Sequence, residues 1–481
     1  MPIIIVGLGP GAIDDLSLKA WRTLDNAETV YLRTERHPCV PDLPDKPTYH
    51  NFDYLYENET RFADVYATIT QTLIDQAQSG ETVVYCVPGD PLVGESTTTR
   101  ILSVAQANDI DVTIINGISF IEPMLAQLGI DALDGLQIYD GLDIAVMHHP
   151  PLNPAYPALV GQVYSREVAS NIKLVLMNQY PDDFQVTLIH GAGNATGITQ
   201  TIPLSEIDHQ DAINHLTSLY VPALGEYTSF EAFQEIIAHL RAPEGCPWDR
   251  KQTHESLRPF LIEEAYEVLE AIDNEDWDNL AGELGDLLLQ IVLHTQIAIE
   301  YGEFYMTDVL DYVNRKMIRR HPHVWGDIAV DGAEQVTVNW EDIKRQERAE
   351  KGEQRESILD GVPKGAPSLL IANKYQAKAA KVGFDWADVS GVHDKIREEM
   401  DEIFAETEPA KQAAEIADLM FVLVNWLRWL NVDDPESLMR GVNAKFYRRF
   451  TYVEEHADRD LSEMTLQEMD ALWDAAKEKG L

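Results

Sequence analysis

Apolar residues follow two different rhythms along this chain. In the N-terminal half they gather in short continuous runs, each leading through a glycine turn into an amphipathic stretch. IIIV at 3–6 runs into Gly7, Leu8, Gly9, Pro10 and Gly11 and then LSLKAWRTLDNA, and the apolar run at 82–87 runs into Pro88, Gly89, Asp90 and Pro91. INGISFIEPMLAQLGI repeats the sequence of strand, turn and helix. Short apolar runs bounded by turn signals predict buried strands, so this half reads as an α/β domain. The rhythm changes after LYVPALGEY at 219–227, where Pro and Gly break the pattern. Beyond it the apolar positions take a helical period, and Thr228 with Glu231 offers a capping box for the first helix. The charged stretch 342–365, ending in GVPKGAP, marks a second break. The predicted domains are therefore 1–222, α/β, followed by two all-α regions at 226–350 and 356–481.

Acids occupy unexpected positions in that helical half. Glu283 and Asp286 lie inside LAGELGDLLLQIVLHTQIAI, and Glu415 and Asp418 inside AAEIADLMFVLVNWLRWL, where apolar residues dominate. Acids on a helix that packs into a core are unfavourable unless paired or ligating. Each belongs to a longer pattern that occurs twice in the same order. The first copy is Glu263, Glu264, Glu267, then Glu283 and Asp286, then Asn314, Lys316, Arg319 and Arg320. The second is Glu398, Glu399, Glu402, then Glu415 and Asp418, then Asn443, Lys445, Arg448 and Arg449. Positions three or four apart share a helix face, so two such helices side by side would bring four carboxylates together. Hard divalent cations such as Mg²⁺ or Mn²⁺ prefer such oxygen ligands. The basic strips suit phosphate oxygens, onto which Arg forks, although basic residues near a helix C-terminus also favour the macrodipole. The gap from Glu402 to Glu415 is three residues shorter than that from Glu267 to Glu283.

Charge narrows the partners. With 81 acids against 37 bases and a formal charge of −44, the chain lacks the basic footprint that a nucleic-acid polymer requires. A small nucleotide, its charge met by metal, is compatible. Cys39, Cys86 and Cys246 are far apart and suggest neither a disulfide framework nor a zinc site. His321 and His323 flank Pro322 at a spacing that fits a turn better than a metal site. With no run of membrane-spanning length, the cytoplasm is the expected compartment. The glycine turn at 7–11 is not the dinucleotide fingerprint, since Ala12 interrupts it.

The stretches GCPWDRKQTHESLRPFLIEEAYEVLEAI, LAGELGDLLLQIV and RKMIRRHPHVWGD resemble the MazG nucleoside triphosphate pyrophosphohydrolases, and SILDGVPKGAPSLLIANKYQAKAAKVGFDW heads a second such repeat. The resemblance runs from about residue 230 to near the C-terminus. It implies two four-helix-bundle repeats that assemble as dimers or pseudo-dimers, here a homodimer, and hydrolysis of an NTP to NMP and pyrophosphate. It maps metal ligands onto Glu264, Glu267, Glu283 and Asp286, and onto Glu399, Glu402, Glu415 and Asp418. It maps phosphate contacts onto Lys316, Lys445 and their Asn and Arg neighbours, and nucleotide contacts onto Trp248, Lys374 and Trp386. Glu263 or Glu398 could accept the proton of the attacking water, a role the sequence does not separate from ligation.

In the N-terminal half, GLGPG, VPGDPL and NGISFIE together resemble the tetrapyrrole methylase family over roughly residues 2–221. That implies a two-lobed α/β fold with S-adenosylmethionine between the lobes. The cofactor would lie near Gly9, Gly89, Asp90, Leu92, Ser119 and Phe120, with Met147 and the turn at 191–193 nearby. Fusion of this domain to a MazG region is a known arrangement. The alternative function is a methyltransferase whose helical half dimerises it or senses nucleotide.

Overall fold

The computed structural model describes residues 1–59, 61–193, 197–350 and 357–481. Of the expected second break, 342–365, residues 351–356 lie outside the described residues. Two compact units are present, Met1–Lys251 and Gln252–Leu481.

The first unit has two lobes. β1 (Ile3–Gly7), β2 (Thr29–Leu32), β3 (Thr48–Asn51), β4 (Val83–Val87) and β5 (Val112–Ile115) form a sheet in the order β3-β2-β4-β1-β5, parallel throughout. Its central strands read as unbroken apolar runs because helices cover both faces. Ile3, Ile5, Val83, Tyr85 and Val87 face one core, shared with α2 (Phe62–Gln78) and α3 (Ser96–Ala107), while Val6, Val84 and Cys86 face the other, shared with α1 (Leu18–Asn26). This is the period of two expected of a strand.

α4 (Ile121–Leu128) precedes the second lobe. There β6 (Gln137–Asp140), β7 (Ala158–Gly161), β8 (Gln185–His190), β9 (Ile198–Pro203) and β10 (Thr217–Val221) follow the order β6-β7-β10-β8-β9. Only the β6–β7 pair is parallel. α5 (Arg166–Leu176) packs on this sheet through Ala169, Ile172 and Leu176. α6 (Phe230–Arg241), expected to open the helical half, belongs to the first unit. Its N-cap is Ser229 rather than Thr228: the Ser229 hydroxyl accepts from Ala232 N at 3.1 Å. Thr228 instead donates to Gly225 O, and Glu231 accepts from Asn153 Nδ2 at 2.9 Å.

The second unit is all helical. α7 (His254–Asp273) and α8 (Trp277–Tyr301) pack as neighbours across a short loop and are followed by α9 (Met306–Arg320) and α10 (Ala333–Glu350). α11 (Ser368–Ala380), α12 (Val389–Ala405), α13 (Pro409–Trp429), α14 (Pro435–His456) and α15 (Leu466–Glu478) form the second half, where α12 packs on α13 as α7 does on α8. Caps fix where these helices begin. Thr253 and Ser256 make a reciprocal capping box on α7, Asp276 caps α8, and Asp388 caps α12. α8 ends at Gly302, whose φ of +69° is the left-handed geometry that glycine supplies without strain. The apolar residues of α8 are not all interior: Leu284, Leu288 and Ile291 are exposed, as are Ile416, Met420 and Leu423 at the matching positions of α13. No helix among the described residues is long and apolar enough to cross a membrane.

Candidate metal and nucleotide site

Helical spacing and the α7–α8 packing bring one carboxylate oxygen each from Glu264, Glu267 and Glu283 within 4.8 Å of one another. Glu399, Glu402 and Glu415 form the same triad on α12 and α13 within the same radius. Oxygen ligands on opposite sides of a hard divalent cation are separated by about 4–5 Å, so each triad suits such an ion. A second observation supports ligation: Glu399 is buried, and its Oε2 has no hydrogen-bond partner. A buried carboxylate oxygen left so is unfavourable unless a cation faces it. The like charges also affect each other. Desolvation, with Glu283 and Glu264 close by, pushes the Glu267 carboxyl above its ordinary range. Desolvation with Glu402 and Asp418 does the same to Glu415. Asp286 and Asp418, expected as ligands, are exposed and stand one turn beyond the triads. Glu263 and Glu398 lie beside them, also exposed.

The basic strips differ between the copies. On α9, Arg319 and Arg320 both pair with Glu347 of α10 at 2.7 Å, and Lys316 Nζ lies 5.5 Å from the Tyr312 ring centroid. On α14, Arg449 donates to the Leu481 carbonyl at 2.6 Å and sits over Trp473, whereas Asn443, Lys445 and Arg448 are exposed.

In the first unit the loops after β1, β4 and β5 meet at the carboxyl ends of the strands. Gly9 and Gly89 exchange backbone hydrogen bonds of 3.2 and 2.8 Å. A Cβ on Gly117 would stand 2.3 Å from Gly89 O, so only glycine permits this approach. Beside these loops lies a cavity of about 630 Å³ between the lobes, lined among others by Gly9, Gly89, Phe120, Met124, Gln162 and Gly191. Open α/β sheets bind ligands at this edge.

Two family models match the chain: Tetrapyrrole (Corrin/Porphyrin) Methylases over residues 2–208, and the MazG nucleotide pyrophosphohydrolase domain over residues 252–325. Protein YabN of Bacillus subtilis is 42% identical over 488 residues, covering 99% of this chain and 98% of that protein. This chain belongs to the YabN-type MazG family. The nucleoside triphosphate pyrophosphohydrolase/pyrophosphatase MazG of Thermotoga maritima is 47% identical over 251 residues, 52% of this chain and 95% of that protein. Among solved structures, uroporphyrin-III-C-methyltransferase from Thermus thermophilus covers 47% of this chain and 94% of that one, at 18% identity and a TM-score of 0.37.

Within the methylase-like domain the expected cofactor residues divide into three groups. Gly9, Gly89 and Phe120 line the cavity. Asp90 and Ser119 instead hold the loops: Asp90 accepts from Leu92 N, Asn116 Nδ2 and Gly117 N at 2.8–3.2 Å, and Ser119 donates to Glu122 at 2.5 Å. Leu92 and Met147 are exposed outside the lining. Sequence reading missed the Arg33–Glu95 ion pair in the cleft wall, buried on the Glu95 side, where Arg33 Nε also donates to Tyr56 Oη at 3.0 Å. No local signal joins residues so far apart. In the MazG region, Trp386 packs against Gly391 of α12, Lys374 is exposed on α11, and Trp248 is exposed within the first unit. Also missed were Gln290, whose Nε2 lies 3.4 Å from Glu264 Oε1, and Lys395, which pairs with Glu398 and Glu399. The Lys395 spacings of three and four residues were legible as helix pairs.

Proposed function

We propose that this protein is a Mg²⁺- or Mn²⁺-dependent nucleoside triphosphate pyrophosphohydrolase, cleaving NTP to NMP and pyrophosphate in the cytoplasm. The carrying observation is the recurrence of one carboxylate triad on equivalent helix pairs, together with relatives named for this activity. A divalent cation, when bound, would polarise the α-phosphate and lower the pKa of the attacking water. Glu264, Glu267 and Glu283, and Glu399, Glu402 and Glu415, would hold it, with Asp286 and Asp418, three residues on from Glu283 and Glu415, as the remaining candidate ligands. Lys316 and Lys445, with Asn314, Asn443, Arg448 and their neighbours, bind the β and γ phosphates. Glu263 or Glu398, each exposed beside its triad, would accept the proton of the attacking water. Trp248, Lys374 and Trp386 are assigned to the nucleotide. The exposed stripes Leu284–Leu288–Ile291 and Ile416–Met420–Leu423 occupy the same positions in both repeats, which favours a second copy of the chain as their partner.

The test is pyrophosphate release from a panel of NTPs with and without magnesium, for the wild type, Glu283→Gln and Glu415→Gln. Activity that survives both substitutions, or that needs no divalent cation, rejects the reading.

A second reading concerns the methylase domain, where the interlobe cavity and the Gly9–Gly89 bridge favour S-adenosylmethionine binding. Calorimetric titration with S-adenosylmethionine decides it, and absence of binding rejects it.

A further inference from the structure

The two acid triads have different surroundings on the side facing the helix interior. In the second, Lys395 extends from one turn earlier on α12, its Nζ 2.7 Å from Glu399 Oε1 and 3.0 Å from Glu398 Oε1. Glu399 is 4% exposed, so this ion pair is largely withdrawn from water on the acid's side. The Lys395 ammonium donates to both carboxylates and so stands as a positive charge at the edge of the triad. In the first triad, Phe260 occupies the position equivalent to Lys395. Among the described residues no ion pair reaches Glu264, Glu267 or Glu283; their buried neighbour is the neutral amide of Gln290, 3.4 Å from Glu264. At the position equivalent to Gln290, the second half has buried Val422. Three carboxylates facing a neutral amide present a larger negative field than three carboxylates with a resident ammonium.

We infer that the two sites are electrostatically unequal, so that the first takes up a divalent cation from solution while the second, partly neutralised by Lys395, fills chiefly with the cation that a triphosphate carries in. This deepens the pyrophosphohydrolase reading and rests on it. A unit positive charge about 5 Å from a divalent ion in water-like surroundings weakens binding by roughly tenfold or more. Lys395 is thus a positioning residue that sets the order of loading. Its ammonium also occupies one oxygen of Glu399, leaving the orphaned Oε2 as the oxygen presented to the incoming ion.

The probe is Mn²⁺ alone, titrated into the full-length protein and followed by electron paramagnetic resonance of the free ion. Wild type is expected to show a tight and a weak class of sites. Glu283→Gln should delete the tight class and Glu415→Gln the weak one. Lys395→Gln should tighten the weak class roughly tenfold or more without altering the tight one, and Lys395→Arg should leave both as they are. The reciprocal Phe260→Lys should weaken the tight class. The inference is overturned if Lys395→Gln leaves second-site affinity unchanged or reduces it, or if Glu415→Gln deletes the tight class. If neither glutamate substitution alters Mn²⁺ binding, the metal-site reading itself fails and the inference falls with it, an outcome distinct from a failure confined to Lys395→Gln. Circular dichroism of each variant separates lost sites from lost fold.

Discussion

Removing one acid of the first triad with Glu283→Gln is expected to stabilise the metal-free protein while removing part of its response to magnesium. The carboxylate oxygens of Glu264 and Glu283 lie within 4.8 Å of each other. Two unit charges at that separation repel by about 0.9 kcal/mol in water-like surroundings and by about 3.5 kcal/mol at an effective dielectric of 20. Glu283 is half-buried and open to solvent on one side, so the lower figure applies, and Glu267 adds in the same direction. Gln retains the side-chain oxygen that accepts from Asn279 Nδ2 at 3.1 Å, so the helix keeps its local bond. For a unit of this size, about 1 kcal/mol corresponds to roughly 2–4 °C in melting temperature. The variant should therefore melt roughly 2–4 °C or more above wild type in EDTA. In saturating magnesium wild type gains stability according to its affinity, and the variant forfeits the first site's share. Differential scanning fluorimetry across a magnesium series reads both effects. A variant that melts below wild type in EDTA, or that keeps the whole magnesium increment, would refute the charge-cluster reasoning.

Other expectations follow from single contacts. Hydrogen bonding from Arg320 holds the Glu347 carboxyl below the usual carboxylate range. A depressed acid contributes stability above its unfolded value, about 4.3, and loses that contribution as pH falls through its folded value. Glu347→Gln should therefore cost about 1 kcal/mol at pH 7 by denaturant melts, with the gap to wild type closing as pH drops below about 4.3; a gap that widens on acidification counts against the pair. Gly117→Ala would force a Cβ to 2.3 Å from Gly89 O, so S-adenosylmethionine affinity should fall more than tenfold by calorimetry, and unaltered affinity would separate this loop from the ligand. Leu288→Glu combined with Met420→Glu should convert a dimer to monomers in light scattering; a dimer that persists places the interface elsewhere.

Much of the architecture was legible because period and punctuation agreed. Ile3, Ile5 and Val6 gave a strand on a parallel sheet, and the last strand ends at Val221, inside the break at 219–227, although the helix that follows belongs to the first unit. The acids were partly legible: Glu264 and Glu267 share a face by spacing alone, but whether Asp286 joins them depends on how α7 and α8 are rotated, which spacing does not state. In the structure Glu283 faces the triad while Asp286, three residues on, remains outside it. The helical cap moved by one residue because Thr228 and Glu231 found other partners. Arg33 with Glu95, and His254 with His294 at 2.7 Å between their Nδ1 atoms, are tertiary contacts with no sequence rhythm behind them.

An ion pair joins the two repeats. Arg440 Nε meets Asp273 Oδ2 at 2.9 Å, where an acid at the end of α7 would otherwise oppose the helix dipole. Arg440 stands on the helix that carries Asn443, Lys445 and Arg448, and Asp273 ends the helix that carries Glu264 and Glu267. The pair acts as a strut. Arg440→Ala would leave a carboxylate facing the carbonyl end of α7 with that counter-charge gone, a partly exposed contact worth at most about 1 kcal/mol, so its loss should loosen the seam between the repeats rather than unfold either one.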